Sequence, residues 1–165
     1  MIFSIKTLLV TLLIFVFSSN VVFAQTPSPK TTYEAFWPLT AGKTIDDPLY
    51  FFKIWKENFR GVFIFGNPKK AEYAVYLGTK RVLEAEELLK NGKKELADQT
   101  LVKATEQFDI AEKNVNEAKT SKLPLESSAL TIKPRLENLI NFVPTMQLSE
   151  SEKLLEKLKK INTDI

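Results

Sequence analysis

The stretch from Asn67 to Lys119, NPKKAEYAVYLGTKRVLEAEELLKNGKKELADQTLVKATEQFDIAEKNVNEAK, decides the fold. Its second half carries Ala97, Leu101, Ala104, Phe108, Ala111, Val115 and Ala118, a repeated spacing of four and three that lays all seven on one helical face. Its first half answers with Ala71, Ala74, Val75, Gly78, Val82, Ala85 and Leu89. Asn67-Pro68 reads as a cap followed by a first-turn proline, where no N–H is needed. Asn91-Gly92 ends the first helix, with glycine suited to the left-handed position past the last turn. The segment is therefore expected to be an antiparallel helical hairpin. Because both stripes are rich in small residues, its two backbones should approach closely.

Outward from the hairpin, the chain stays helical in its patterning. Asp47-Pro48 again pairs a cap with a first-turn proline and opens a helix over Leu49–Phe65. That helix holds Tyr50, Phe51, Phe52, Trp55, Phe59, Phe63 and Phe65 along with Leu49, Ile54, Val62 and Ile64. Its charged residues Lys53, Lys56, Glu57 and Arg60 fall on one narrow face, so the apolar arc is wider than a simple amphipathic helix requires. Gly61 weakens the helix by about 1 kcal/mol relative to alanine. Two expectations stand side by side: burial on most sides across the hairpin groove, or partial exposure toward a membrane or a partner. The candidate interaction surface is Tyr50, Phe51, Trp55, Phe59, Phe63 and Phe65.

After the hairpin, Ser127–Val143 is predicted as a helix with Leu130, Leu136, Leu139, Ile140 and Val143 apolar, kinked or interrupted by Pro134 near Ile132-Lys133. Ser149 and Glu152 have the spacing of a capping box ahead of a last helix, Glu150–Ile161, striped by Leu154, Leu155, Leu158 and Ile161. Lys153, Glu156, Lys157, Lys159 and Lys160 are expected on its solvated face. On the first hairpin helix, Lys80–Glu84 and Glu86–Lys90 have the spacing of surface ion pairs, and Arg81 that of a residue half-buried against Glu84 or another acid. Tyr73 and Tyr76 are expected to pack against the aromatic helix.

The N-terminus differs in kind. Met1–Lys6 carries one positive charge, Thr7–Phe17 is an apolar run, Ser18–Asn20 breaks it, and Val22-Phe23-Ala24 suits cleavage before Gln25. This is the pattern of a secretory signal, with an uncleaved membrane anchor as its alternative. Gln25–Ile45 is proline-rich and reads as a flexible linker, in which Tyr33, Phe36 and Trp37 suit either a docking segment or stray aromatics on a tether. The domain organisation is thus a signal peptide over 1–24, a linker over 25–45 and an all-α helical bundle over 46–162. The expected location is secreted or extracytoplasmic, or anchored at the cytoplasmic membrane if the signal is retained.

The sequence has 165 residues and a formal charge of +3, too balanced for a nucleic-acid footprint. It has no cysteine and no histidine, which removes thiolate nucleophiles, disulfides, Cys-based zinc sites and the usual general base near neutral pH. A di-iron bundle wants histidines as well as glutamates. No catalytic residue, cofactor or metal is therefore expected, and the chain is not expected to be an enzyme. A carboxylate-based glycoside hydrolase is the least favoured alternative, since it needs two carboxyls converging in a concave cleft.

The run Asp47–Asn58, DPLYFFKIWKEN, is similar to the opening of DUF5667, a family of exported bacterial domains of unknown function. Asn67–Glu72 resembles that family's "P-x-K-x-A-E" helix start, Lys80–Leu88 its "R-L-x-E-A-x-x-L" segment, and Phe142-Val143-Pro144 its "V-P" turn. Lys133-Pro134-Arg135-Leu136 departs from the family, which usually runs unbroken there and often carries an Arg-His pair. The resemblance implies an exported helical domain and transfers no activity and no catalytic residues. The leading expectation is a non-enzymatic helical module that binds another protein or associates with the cell envelope. The alternative is a peripheral membrane protein held by the aromatic helix, 49–65.

Overall fold

Apolar stripes, rather than side-chain caps, set how the helices pack, and none of the longer helices has a side-chain hydrogen bond at its N-cap. The computed structural model describes residues 32–165; the stretch read as a secretory signal, Met1–Ala24, and the start of the stretch read as a linker lie outside the described residues. Six helices follow in order, with no strand among the described residues: α1 (Thr32–Phe36), α2 (Tyr50–Val62), α3 (Asn67–Lys90), α4 (Lys94–Thr120), α5 (Glu126–Phe142) and α6 (Ser151–Asp164). A single 3-10 turn, Val143–Met146, links α5 to the approach to α6.

The hairpin of α3 and α4 is the plate on which the rest is laid. Gly92 has φ +73°, the left-handed turn that its position predicted. Gly78 packs directly under Phe108, and a Cβ at Gly78 would lie 2.7 Å from the Phe108 ring. The small residues therefore do what their spacing implied and bring the backbones together around one large ring. The α3 start differs slightly from expectation: Asn67 is the first helical residue and Gly66 the cap, with no side-chain capping bond.

α5 and α6 cover this plate. Ile132, Leu136, Leu139, Leu154, Leu158 and Ile161 are fully buried with Phe108, Leu88 and Leu101. Leu130 does not join them; it is 80% exposed, because the buried stripe of α5 runs through Ser128, Ile132, Leu136 and Leu139 instead. Pro134 does not end α5, which continues as one helix. Pro134 itself is exposed, so its ring lies on the solvent side. The capping box ahead of α6 does not form. Ser149 Oγ donates instead to the Asp98 carboxylate of α4 at 2.8 Å, and the helix begins at Ser151. The α6 lysines also do more than face solvent. Lys157 reaches Asp109 at 2.8 Å and Glu112 at 2.7 Å, and Lys160 reaches Glu112 at 2.6 Å, clamping α6 to α4.

The segment read as a linker enters the body by residue 36. Phe36 is buried and meets Phe142 edge-on with ring centres 5.8 Å apart. Asn138 Nδ2 donates to the Ala35 carbonyl at 2.7 Å. Leu39, Ala41 and Ile45 pack against the same core. Of the two alternatives for this stretch, Phe36 follows the docking one.

Candidate functional site

The side chains of α2 are arranged inside out. Residues 50, 53, 57 and 60, spaced by three and four, face α3, and they are Tyr, Lys, Glu and Arg. Phe51, Phe52, Trp55 and Phe59, with Phe63 and Phe65 just past the end of α2, point away and are 55–78% exposed. Burial of the aromatic face across the hairpin groove, one of the two expectations, does not occur. Tyr50 is the correction to the candidate surface: it is 8% exposed and belongs to the inner face.

The inner face is held by charge. Glu84 of α3 is fully buried and accepts from Tyr50 Oη at 3.2 Å, from Lys53 Nζ and from Arg81. Glu57 of α2 accepts from Lys80 at 2.8 Å and from Arg81. Lys53 Nζ also donates to the carbonyls of Ala41 and Lys43, each at 2.7 Å, so its three N–H groups all have partners. Around the Tyr50 ring stand Lys53, Arg81 and, from α4, Lys103, at 5.5–5.7 Å from its centre. The Lys80–Glu84 surface pair is thus not formed; Lys80 turns to Glu57 because Glu84 lies inside with Lys53 and Arg81. The Glu86–Lys90 pair does form, at 2.8 Å. Arg81 pairs with acids as expected, with both Glu57 and Glu84, but it is buried rather than half-buried. Among the described residues the α2 backbone packs closely on no other helix, and these long side chains span the gap.

Burial raises Tyr50 well above the ordinary tyrosine value, aided by the charge of Glu84. Burial also pushes Glu57 up, but the hydrogen bond from Lys80 and the charge of Arg81 outweigh it and hold Glu57 below its ordinary 4.5. A carboxyl lowered in the folded state stabilises that state above its unfolded value and loses the contribution as pH falls through the folded one. Thermal melting by circular dichroism should therefore weaken as pH drops below 4.5, and Glu57→Gln should reduce that drop. An identical acid profile for Glu57→Gln would show that Glu57 is not held this way.

Past Glu57 the inner face becomes aromatic and cationic. Tyr73 and Tyr76 of α3 stack with centres 5.9 Å apart and planes 12° from parallel. Tyr73 Oη donates to the Glu57 carbonyl at 2.8 Å, and the ring lies against Gly61. Packing against the aromatic helix is the role expected of this pair. Arg60 lies over both rings, and Arg135 of α5 lies 6.0 Å from the Tyr76 centre. Burial pulls Arg135 below the ordinary arginine value, with Tyr76 opposing. A cleft of about 540 Å³ opens on the Lys53–Lys80 side of this stack and another of about 450 Å³ on the Arg135 side.

The outer face is a ladder of rings. Trp55 and Phe59 stack at 5.7 Å, Phe59 and Phe63 meet edge-on at 5.1 Å, and Phe51 and Phe52 lie 4.0 Å apart. Taking about 150–250 Å² for a whole aromatic side chain, the six rings expose roughly 800 Å². The largest apolar patch on an ordinary monomer is about 300–600 Å². Lys56 and Arg60, both exposed, flank the ladder. The signal for this inversion was present in the sequence: the narrow charged face Lys53–Glu57–Arg60 is the one that finds partners on α3, and Glu84 and Arg81 were its complement.

Among the described residues, no helix is long and apolar enough to cross a membrane, and no group of three acids could hold a metal ion. No curated protein and no solved structure matches the chain. A family model does match, over residues 42–164, from just before the Asp46–Asp47 turn to the end of α6, which takes in the charged inner face of α2 and the aromatic ladder alike. The chain belongs to that family, the domain of unknown function DUF5667.

Proposed function

We propose that this domain attaches to the surface of a lipid bilayer through α2, with the aromatic ladder seated at the boundary between headgroups and acyl chains. The observation that carries the proposal is the inverted polarity of α2. A helix that spends its Lys, Glu and Tyr on the protein and turns four aromatic rings outward, with Phe63 and Phe65 just past its end, leaves those six rings for an apolar surface. Two features favour a bilayer over a protein groove. The rings project from a helix that, among the described residues, is held to the body by long side chains rather than by close backbone packing, which leaves its outer face open as an interfacial helix needs when it lies in the membrane plane. Lys56 and Arg60 flank them, placed to meet anionic headgroups.

The upstream apolar run Thr7–Phe17 supports the same reading, since a secretory signal or a retained anchor would bring the domain to a membrane. The role is one of binding rather than catalysis, in keeping with a chain that has neither histidine nor cysteine. Protein binding through the same rings is the outcome that the test below would expose.

The sequence has two tryptophans, Trp37 and Trp55. In the full chain carrying Trp37→Phe, Trp55 is the sole indole and reports on the ladder independently of the N-terminus. On vesicles containing phosphatidylglycerol, its emission should shift to the blue and be quenched by lipids brominated near the headgroup. Trp55 emission that brominated lipids leave untouched, in chains bound to the same vesicles, would overturn the proposal and turn attention to a protein partner.

A further inference from the structure

We infer that the cleft on the Arg135 side of the tyrosine stack holds the phosphate of an anionic phospholipid, bound between Arg60 and Arg135. The inference takes the identity of its ligand from the membrane reading above. The geometry is its own support. Arg60 and Arg135 line one cleft of about 450 Å³, and each guanidinium lies 6.0 Å from the centre of the Tyr76 ring, so they are separated by no more than twice that distance. Neither has a carboxylate partner among the described residues. That is unlike Arg81, which has two. The acid in the cleft, Glu72, is already engaged, by Lys69 at 2.7 Å and by Ser128 Oγ at 2.6 Å.

A half-buried guanidinium without a counter-charge is costly, and an incoming anion relieves that cost. Arginine is also the side chain whose planar fork matches a phosphate, bonding two of its oxygens at once. The remainder of the cleft says what carries the phosphate. Phe63, Ile64 and Phe65 line it, and Phe63 and Phe65 also belong to the outward ladder. One wall is therefore cationic and the other continues into the face that meets the acyl region. That combination suits a phosphodiester with hydrocarbon attached, and offers a free inorganic ion nothing for the apolar wall.

Dihexanoyl phosphatidylglycerol, kept monomeric below its micelle concentration, tests this without any vesicle. Titration calorimetry on the full chain should show saturable binding, weakened about tenfold or more in Arg135→Gln and in Arg60→Gln, and weakened to a lesser degree in Arg135→Lys, which keeps the charge but loses the planar fork. Inorganic phosphate should bind at least about tenfold more weakly than the lipid. Circular dichroism checks each variant, and if Arg135→Gln does not fold, Arg60→Gln, at an exposed position, carries the comparison. Lipid binding unchanged in the glutamine variants, no binding of the lipid, or phosphate binding as tightly as lipid would each overturn the assignment. Failure here with Trp55 still quenched by brominated lipids would leave the membrane reading standing. Binding here with Trp55 unquenched would do the reverse.

Discussion

Replacing Glu84 with alanine is expected to cost about 3–5 kcal/mol of stability, far more than removal of an ordinary surface glutamate. Glu84 is fully buried and is the shared acceptor for Tyr50, Lys53 and Arg81. Without it, Arg81 keeps only Glu57, and Lys53 keeps only the carbonyls of Ala41 and Lys43. The inner face then carries Lys53, Lys80 and Arg81 against one acid. Breaking a buried pair from one side leaves an uncompensated charge, and that penalty exceeds what the intact pair contributes. Urea unfolding with equal slopes for the two proteins measures the loss. Since α2 is held by these side chains, its amides should also exchange faster than those of α4 in the variant. A loss under about 1 kcal/mol, the range of exposed pairs, would show that the cluster is solvated and does not fasten α2.

Much of this architecture was open to sequence reasoning, and what was not has a common cause. The hairpin was legible because both of its stripes repeat at helical spacing and its turn is marked by Asn91-Gly92, and these are local signals. The fold class follows from them. The polarity of α2 was not legible in the same way. An apolar face points to a core by default, because burying rings is favourable and burying Lys, Glu and Arg is not. Here the default is reversed by residues 24 to 34 positions away, Arg81 and Glu84, whose charges make the polar face the one that fits. The same long-range effect moved Lys80 away from Glu84 and turned Ser149 from its cap to Asp98. Tyr50 was misassigned to the outer surface because membership in an aromatic run says nothing about which side a ring occupies. The stacked Tyr73–Tyr76 pair was anticipated as packing, while its two flanking arginines come from α2 and α5 and meet only in the folded chain.

Phe108→Ala should cost about 3–5 kcal/mol, for a reason that a second substitution exposes. Phe108 is fully buried where α4 crosses α3, and its ring fills the space that Gly78 leaves open. In the native protein, Gly78→Ala should itself destabilise by about 1–3 kcal/mol, because its new Cβ would lie 2.7 Å from an aromatic ring that close packing prevents from retreating. In the Phe108→Ala background the ring is gone. The same glycine-to-alanine change then fills part of the cavity and gains up to about 1 kcal/mol of helix propensity, so its sign should reverse. Urea unfolding of the two single variants and the double variant yields the coupling between the sites, which these two effects together place at about 1–4 kcal/mol. Purely additive effects would mean that the hairpin relaxes around the ring and that the glycine is not what sets its spacing. The sign reversal matters beyond the core, because α3 carries Tyr73, Tyr76, Lys80, Arg81 and Glu84 on the side facing α2. A shift of α3 against α4 moves that whole row relative to Lys103, the one cation at Tyr50 that α4 supplies, and through it the attitude of the aromatic ladder.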